Sequence, residues 1–233
     1  WLRLWRFEGG AWRREKLRPI DERRSSVATQ MDLDLGRAHW LLQIGGSKVT
    51  WRFVALPGGG RARVLITPKD SKDPRAEELK VVVTSFRERA ETLLEFLSRD
   101  AMRSVSALTE SVSFARHLLS EKFEDPVAAV AGAYYLLRFN RWNLVPLQWF
   151  ENLSTNFAWI PDTAIVHCAR LLRSGSDAHS DRFNPEALLQ QALSRGWPVY
   201  AEGASLLQEA ASLLKSNTAV TAPYIRKIEA LAA

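Results

Sequence analysis

Nucleophilic catalysis in this chain would have to start from its one cysteine, Cys168, or from a serine with a base beside it. His167 adjoins Cys168, but neighbours on a helix point about 100° apart. Cys168 also shares an apolar stripe with Ala164, Ile165 and Leu172, so a buried, inert thiol is expected. His39, His117 and His179 stand singly, and no His or Cys pair has the spacing of a zinc site. The carboxylates Glu77 and Glu78, Glu88 with Glu91, and Glu121 with Glu124 lie among Lys and Arg, where solvated ion pairs are the simplest outcome. Asp177, His179 and Asp181 fall in SGSDAHSDRFNPE, residues 174–186, which lacks EF-hand spacing and reads as a loop. No residue is therefore assigned to catalysis, to a cofactor or to a metal, and the chain reads as non-enzymatic.

Binding chemistry is better represented. Gly58-Gly59-Gly60 leads into Arg61, Arg63 and a strand-like run rather than a helix, so it reads as a hairpin loop and not a phosphate loop. Trp and Arg interleave at Arg3, Trp5, Arg6, Trp12, Arg13, Arg14, Trp51 and Arg52. Alternation explains this spacing if the tryptophans form the core of a thin sheet with the arginines on its wet face. The alternative is a single-strand platform, with Arg13, Arg14, Arg23 and Arg24 on phosphates and Trp5, Trp12 or Trp51 stacking on bases. Further on, Trp142, Trp149, Phe150, Phe157 and Trp159 cluster near Arg138 and Arg141. Inter-helix core accounts for most of these rings. Trp149 and Phe150 cannot enter one groove together, which leaves Arg138, Arg141, Trp142, Trp149 and Trp159 as a candidate partner-binding set.

These residues need elements to position them. WLRLWRF and AWRREKL flank Glu8-Gly9-Gly10, a hairpin signal. Residues 21–30 are polar and read as a loop. Trp40, Leu42 and Ile44 share one face of a strand, Val49, Trp51 and Phe53 one face of the next, and turns at Gly45-Gly46 and 57–60 suggest a three-stranded meander over 38–67. After Pro68 the period changes. Asp73-Pro74 is expected to open a long helix to about Asp100, carrying Leu79, Val82, Val83 and Phe86 on its apolar face, with Val81 to Val83 covering the sheet.

Helices are expected next over about 101–122, from Asp125-Pro126, over 143–156, from Pro161, from Asn184-Pro185, from Pro198 to about Lys215, and from Ala222-Pro223. The Asp125-Pro126 helix is apolar nearly all round and so should be central. Starts at 125, 161 and 198 are spaced by 36 and 37 residues, close to the ~34 of tetratricopeptide repeats, although that signature is not kept. The fold class expected is α+β: N-terminal antiparallel hairpins or meander over 1–68, packed as one unit with a tetratricopeptide-like array of helical hairpins over 69–233.

The 233 residues carry a net charge of +6. Residues 1–68 hold thirteen basic against six acidic residues, so the positive charge belongs to the first third. No run is apolar enough to span a bilayer. The lone cysteine suits a reducing cytoplasm, and a start at Trp1 fits a piece of a longer protein.

DPVAA before an apolar helix, Trp-Phe-Glu-Asn-Leu, the Trp-Ile-Pro-Asp turn and the Gly-Trp-Pro-Val-Tyr turn resemble the C-terminal helical segment of large bacterial proteins linked to caspase-like (CHAT-type) or related proteases, over roughly residues 70–215. The resemblance implies an accessory, regulatory part of a protease-linked bacterial system, with no catalytic residue to carry over. The expected function is an intracellular protein-interaction module of the adaptor or scaffold kind, whose partner is a protein or another domain of a longer polypeptide. Nucleic-acid binding through the basic N-terminal sheet is the alternative.

Overall fold

The computed structural model describes residues 1–47, 49–68, 79–88, 90–93, 105–175 and 184–214. The chain divides into two compact units, Trp1–Glu88 and Arg89–Ala233, β-rich and helical respectively, which makes the protein α+β.

The first unit has eight strands: β1 (Leu2–Glu8), β2 (Ala11–Glu15), β3 (Asp21–Arg24), β4 (Thr29–Leu35), β5 (His39–Gly46), β6 (Val49–Leu56), β7 (Gly60–Pro68) and β8 (Leu79–Ser85). They form two antiparallel sheets, ordered β2-β1-β5-β6 and β3-β4-β7-β8. Alternation decides what each strand buries. Leu4, Trp40, Leu42, Ile44 and Leu56 from the first sheet meet Met31, Leu33, Leu35, Ala62, Val64 and Ile66 from the second in one core. The expected hairpin exists: β1 pairs with β2 through Gly9 and Gly10, both with positive φ, as a type I′ turn requires.

Three expectations need correction. The meander over 38–67 does not form, because β7 pairs with β4 and β8 rather than with β6. The segment after Leu56 changes sheets beside the β4–β5 connection, tied by Gly59 N–H to the Gly36 carbonyl at 3.0 Å. Gly58 makes this possible, since a Cβ there would lie 2.3 Å from the Ala38 carbonyl oxygen. Secondly, residues 21–30 are not all loop, since Asp21–Arg24 pairs with β4. Thirdly, residues 79–85 are strand, not helix. Their β-branched run alternates, with Leu79, Val81 and Val83 against the core and Lys80, Val82 and Thr84 between them, and β-branched side chains favour that pleat. The β-rich unit thus reaches Glu88 rather than ending at 68, and Val81 to Val83 cannot be a helix covering a sheet. Residues 69–78, with the Asp73-Pro74 start, lie outside the described residues.

In the second unit the described helices are α1 (Val105–Ser120), α2 (Pro126–Arg138), a 3-10 turn (Trp142–Leu144), α3 (Leu147–Asn156), α4 (Pro161–Ser174), α5 (Pro185–Arg195) and α6 (Ala201–Leu213). Caps set several starts. The Asp125 carboxylate accepts from Ala128 N–H, and the Asn184 side chain accepts from Glu186 and Ala187 N–H, each before a Pro at the first helical position. As its composition implies, α2 is buried from Pro126 to Leu137 and packs on α1, α3 and α4. At Gly132 an added Cβ would sit 2.6 Å from the Ala115 carbonyl oxygen, so α1 approaches α2 backbone to backbone. The helix expected from 222 lies outside the described residues.

Candidate functional site

Three helices of the second unit enclose a groove of about 490 Å³, lined by Tyr134, Leu137 and Arg138 of α2, Arg173 of α4, and Ala201, Glu202, Ser205, Leu206 and Glu209 of α6. The α6 residues recur at one-turn steps, so one face of that helix forms a wall. Leu137, Ala201 and Leu206 supply apolar lining, and the rim carries both signs of charge. Arg173 Nη2 approaches Glu209 Oε2 at 3.2 Å.

Behind Tyr134 lies a buried polar cluster. Asp162, in the first turn of α4, is fully buried. Its Oδ1 accepts from the Tyr134 hydroxyl at 2.8 Å and from Tyr200 N–H at 3.2 Å, and its Oδ2 accepts from Val199 N–H at 2.7 Å. Burial pushes the carboxyl up to about 6, against the pull of these donors. The Tyr134 hydroxyl is raised well above its usual range, by burial first and by Asp162 second. Gly203 admits α6 to the cluster, since a Cβ there would lie 2.5 Å from Pro198 Cβ and 2.7 Å from the Tyr134 hydroxyl. One carboxylate thereby joins α2, α4 and the turn leading into α6, fixing the groove walls.

A second cluster contains a serine and a histidine. Ser154 Oγ lies 2.8 Å from His167 Nδ1 and 3.0 Å from the Glu151 carbonyl oxygen. The hydroxyl has one proton, which goes either to the carbonyl, with His167 Nδ1–H donating to Ser154, or to Nδ1. Arg195 donates to Thr163 Oγ1 at 2.9 Å and to the Ser154 carbonyl at 3.0 Å. Burial, then Arg170 and Arg195, lowers His167 to about 4. The imidazole is neutral at pH 7, and both Ser154 and His167 are buried. Burial pushes the Cys168 thiol up to about 12, and its Sγ donates to the Pro185 carbonyl at 3.3 Å.

A family model, the Y4kD C-terminal domain, matches residues 92–233, a span that contains the groove and both clusters. The chain belongs to that family. No curated protein and no solved structure matches it. Within the Y4kD C-terminal domain, the residues expected to bind a partner are placed separately. Arg138 lines the groove, whereas Arg141 is exposed beside the 3-10 turn. Trp142, Trp149 and Trp159 are half-buried against the main helical core. The Arg170 guanidinium lies 4.2 Å from the Trp142 ring centre, and Lys122 Nζ lies 5.1 Å from that of Trp149. Phe150 takes the interior while Trp149 does not, as their adjacency requires. Sequence reasoning missed Tyr134, Asp162 and Gly203; the available signal was a carboxylate directly after the helix-opening Pro161 in an apolar context.

The four arginines assigned to phosphates do not share one face. Arg13 and Arg14 alternate across β2, Arg23 and Arg24 across β3 in the other sheet. Arg23 meets Asp21 at 3.3 Å and Arg24 meets Glu22 at 2.6 Å. The tryptophans also differ from expectation. Trp40 alone among those of the first unit belongs to the buried core, while Trp5, Trp12 and Trp51 lie on the outer face of the first sheet, because their neighbours Leu4 and Leu42 have the parity that points inward.

Proposed function

We propose that the Y4kD C-terminal domain of this chain is a non-enzymatic protein-binding module that takes a segment of a partner into the groove between α2, α4 and α6. The observation that carries this reading is the groove itself: a mixed lining with more polar than apolar surface, a rim with Arg138 and Arg173 beside Glu202 and Glu209, and walls fixed from behind by Asp162. Such a rim suits a peptide bearing both charges and sets its register, while Leu137, Ala201 and Leu206 offer a smaller apolar contact. The adaptor or regulatory role within a protease-linked bacterial assembly rests on the resemblance of the helical segment. A cytoplasmic setting is supported by the buried free thiol of Cys168. The partner is a separate protein or another domain of a longer polypeptide.

The test is site-directed photo-crosslinking in the native host. A benzophenone side chain at Ser205 is expected to give a discrete adduct that Arg138→Glu abolishes, while the same probe at exposed Gln191 on α5 gives none. Equal labelling from both positions, or no adduct from Ser205, would remove the proposal.

A further inference from the structure

The outer face of the first sheet concentrates aromatic and basic side chains. Strand parity and register place Trp12 and Arg14 of β2, Arg3, Trp5 and Phe7 of β1, His39, Leu41 and Gln43 of β5, and Trp51, Phe53 and Ala55 of β6 on this one side. Not one of them is a carboxylate. Glu8 and Glu15 have the opposite parity and pair there with Arg6, at 2.6 and 3.7 Å. Neither Arg3 nor Arg14 has a carboxylate partner among the described residues.

At one end of the face the rings are exposed, while Trp5, Phe7 and Trp12 are half-buried. Trp51 is 64% exposed, Phe53 51% and Trp1 48%. Trp1 meets Trp51 edge to face at 5.8 Å, and the Arg3 guanidinium lies 4.4 Å from the Trp1 ring centre. Gly45 provides the seat for Trp1, since a Cβ there would lie 2.4 Å from its ring. The Trp5 indole N–H donates to Gln43 Oε1 at 3.0 Å. At the other end Trp12 packs on Phe7 at 5.2 Å and on His39 at 4.9 Å. These contacts fix the rings in place before any ligand arrives, which limits the ordering cost of binding.

The outer face of the second sheet differs in carrying a buried carboxylate. There Asp32 holds Arg63 at 2.7 Å and Arg61 at 3.6 Å, so these two guanidinium groups share a negative partner. The first sheet instead offers aromatic faces and uncompensated guanidinium groups, within a unit whose residues 1–88 carry eighteen basic against eleven acidic residues.

We propose that the outer face of the β2-β1-β5-β6 sheet is a stacking platform for single-stranded nucleic acid. Bases stack on Trp51, Phe53 and Trp12, and Arg3 and Arg14 meet the phosphates. This chemistry tolerates any sequence, because every base has a π-face, and it depends on salt through the phosphates. A protein interface is the less suitable occupant: the large exposed side chains on this face are rings, its aliphatic Leu41 is buried, and no carboxylate is present to match a basic residue of a partner. The proposal is independent of the groove in the helical unit.

The experiment uses the full chain and a short fluorescein-labelled oligothymidylate at low salt, read by anisotropy and by tryptophan fluorescence. Binding with tryptophan quenching is expected, weakening as salt rises and weaker for duplex of the same length. Trp51→Ala is expected to lose about tenfold in affinity, one stacked base, and Trp51→Phe to retain most of it. Trp51 is exposed, so both variants should fold, and circular dichroism checks this. Arg14→Ala should reduce the salt dependence, whereas Arg24→Ala, already paired with Glu22, should not. Absence of binding at low salt, equal binding of duplex without quenching, or full affinity in Trp51→Ala would each overturn the proposal. So would a Trp51→Ala variant that keeps oligonucleotide binding but loses a crosslinked protein partner.

Discussion

Each unit of this protein buries an aspartate, and the two behave in opposite ways. Asp32 in the sandwich and Asp162 in the helical unit are both almost inaccessible to solvent. Asp32 lies below the usual carboxylate range, chiefly through its hydrogen bonds to Arg63, whereas Asp162 is raised to about 6 by burial. What covers each group explains the contrast. Asp32 is roofed by Arg63 and Arg61, whose side chains are themselves 41% and 51% exposed, so water and positive charge are both near. Asp162 is enclosed by helices and by neutral donors, Tyr134 and two backbone N–H groups. Accessible area alone therefore does not set a carboxylate's energetics; the charge of its partners and the depth of the apolar matter around it do.

The contrast can be tested by removing each group. Asp162→Ala leaves a hydroxyl and two N–H groups buried without their acceptor, and should cost roughly 3 kcal/mol or more, measured by chemical denaturation of the full chain followed at the helical dichroism band. Gly203→Ala should cost about 2 kcal/mol by forcing α6 away from Pro198 and Tyr134. Tyr134→Phe is expected to cost about 1–2 kcal/mol and to move the Asp162 titration above 6, because it removes a donor to the ionised form. Carbon-detected NMR of the carboxyl reads that shift; an unmoved titration would show that Tyr134 does not stabilise the charge. Asp32→Asn should produce the smallest change in melting midpoint, since its partners are wet and salt-screened.

The pH dependence sharpens the same comparison. Asp162 is raised in the fold from 3.8 to about 6, so its contribution is present below about pH 3.8 and is lost as pH rises through 6. His167 is lowered from 6.5 to about 4, so its contribution is present above pH 6.5 and is lost as pH falls through 4. The two slopes oppose each other between pH 4 and 6, and the helical unit should change little in stability there. In Asp162→Asn only the histidine slope remains, and the denaturation midpoint should fall steadily from pH 6.5 to 4. Asp32 adds a loss on the acid side only, as pH drops from 3.8 through its depressed value.

Helix starts were legible because Asp125, Pro161 and Asn184-Pro185 act through local backbone chemistry, which a short window of sequence contains. Pairing partners of strands were not. Nothing local in Pro57 to Gly60 distinguishes a hairpin from a chain that changes sheets; the difference lies in Gly58 approaching Ala38, a contact made only in the folded chain. Residues 79–85 misled for another reason. Leu79, Val82, Val83 and Phe86 fit helical steps, Leu79, Val81 and Val83 fit alternate ones, and the open edge of β7 decided between them. Parity along β1 and β5 is readable, but which parity faces inward depends on the second sheet, so alternation alone does not place Trp5, Trp12 and Trp51. The groove combines residues from positions 134 to 209, a span over which one sequence carries no pairing information.

The isolated, buried Cys168 gives the molecule an internal clock. With one cysteine in the chain, any thiol reagent can add a single mass increment, and it can do so only when α4 separates from the start of α5, where Sγ meets the Pro185 carbonyl. The rate of that increment measures opening of the helical half alone. The sandwich, with no thiol of its own, stays silent, so the two halves can be timed apart in the intact chain without adding a label.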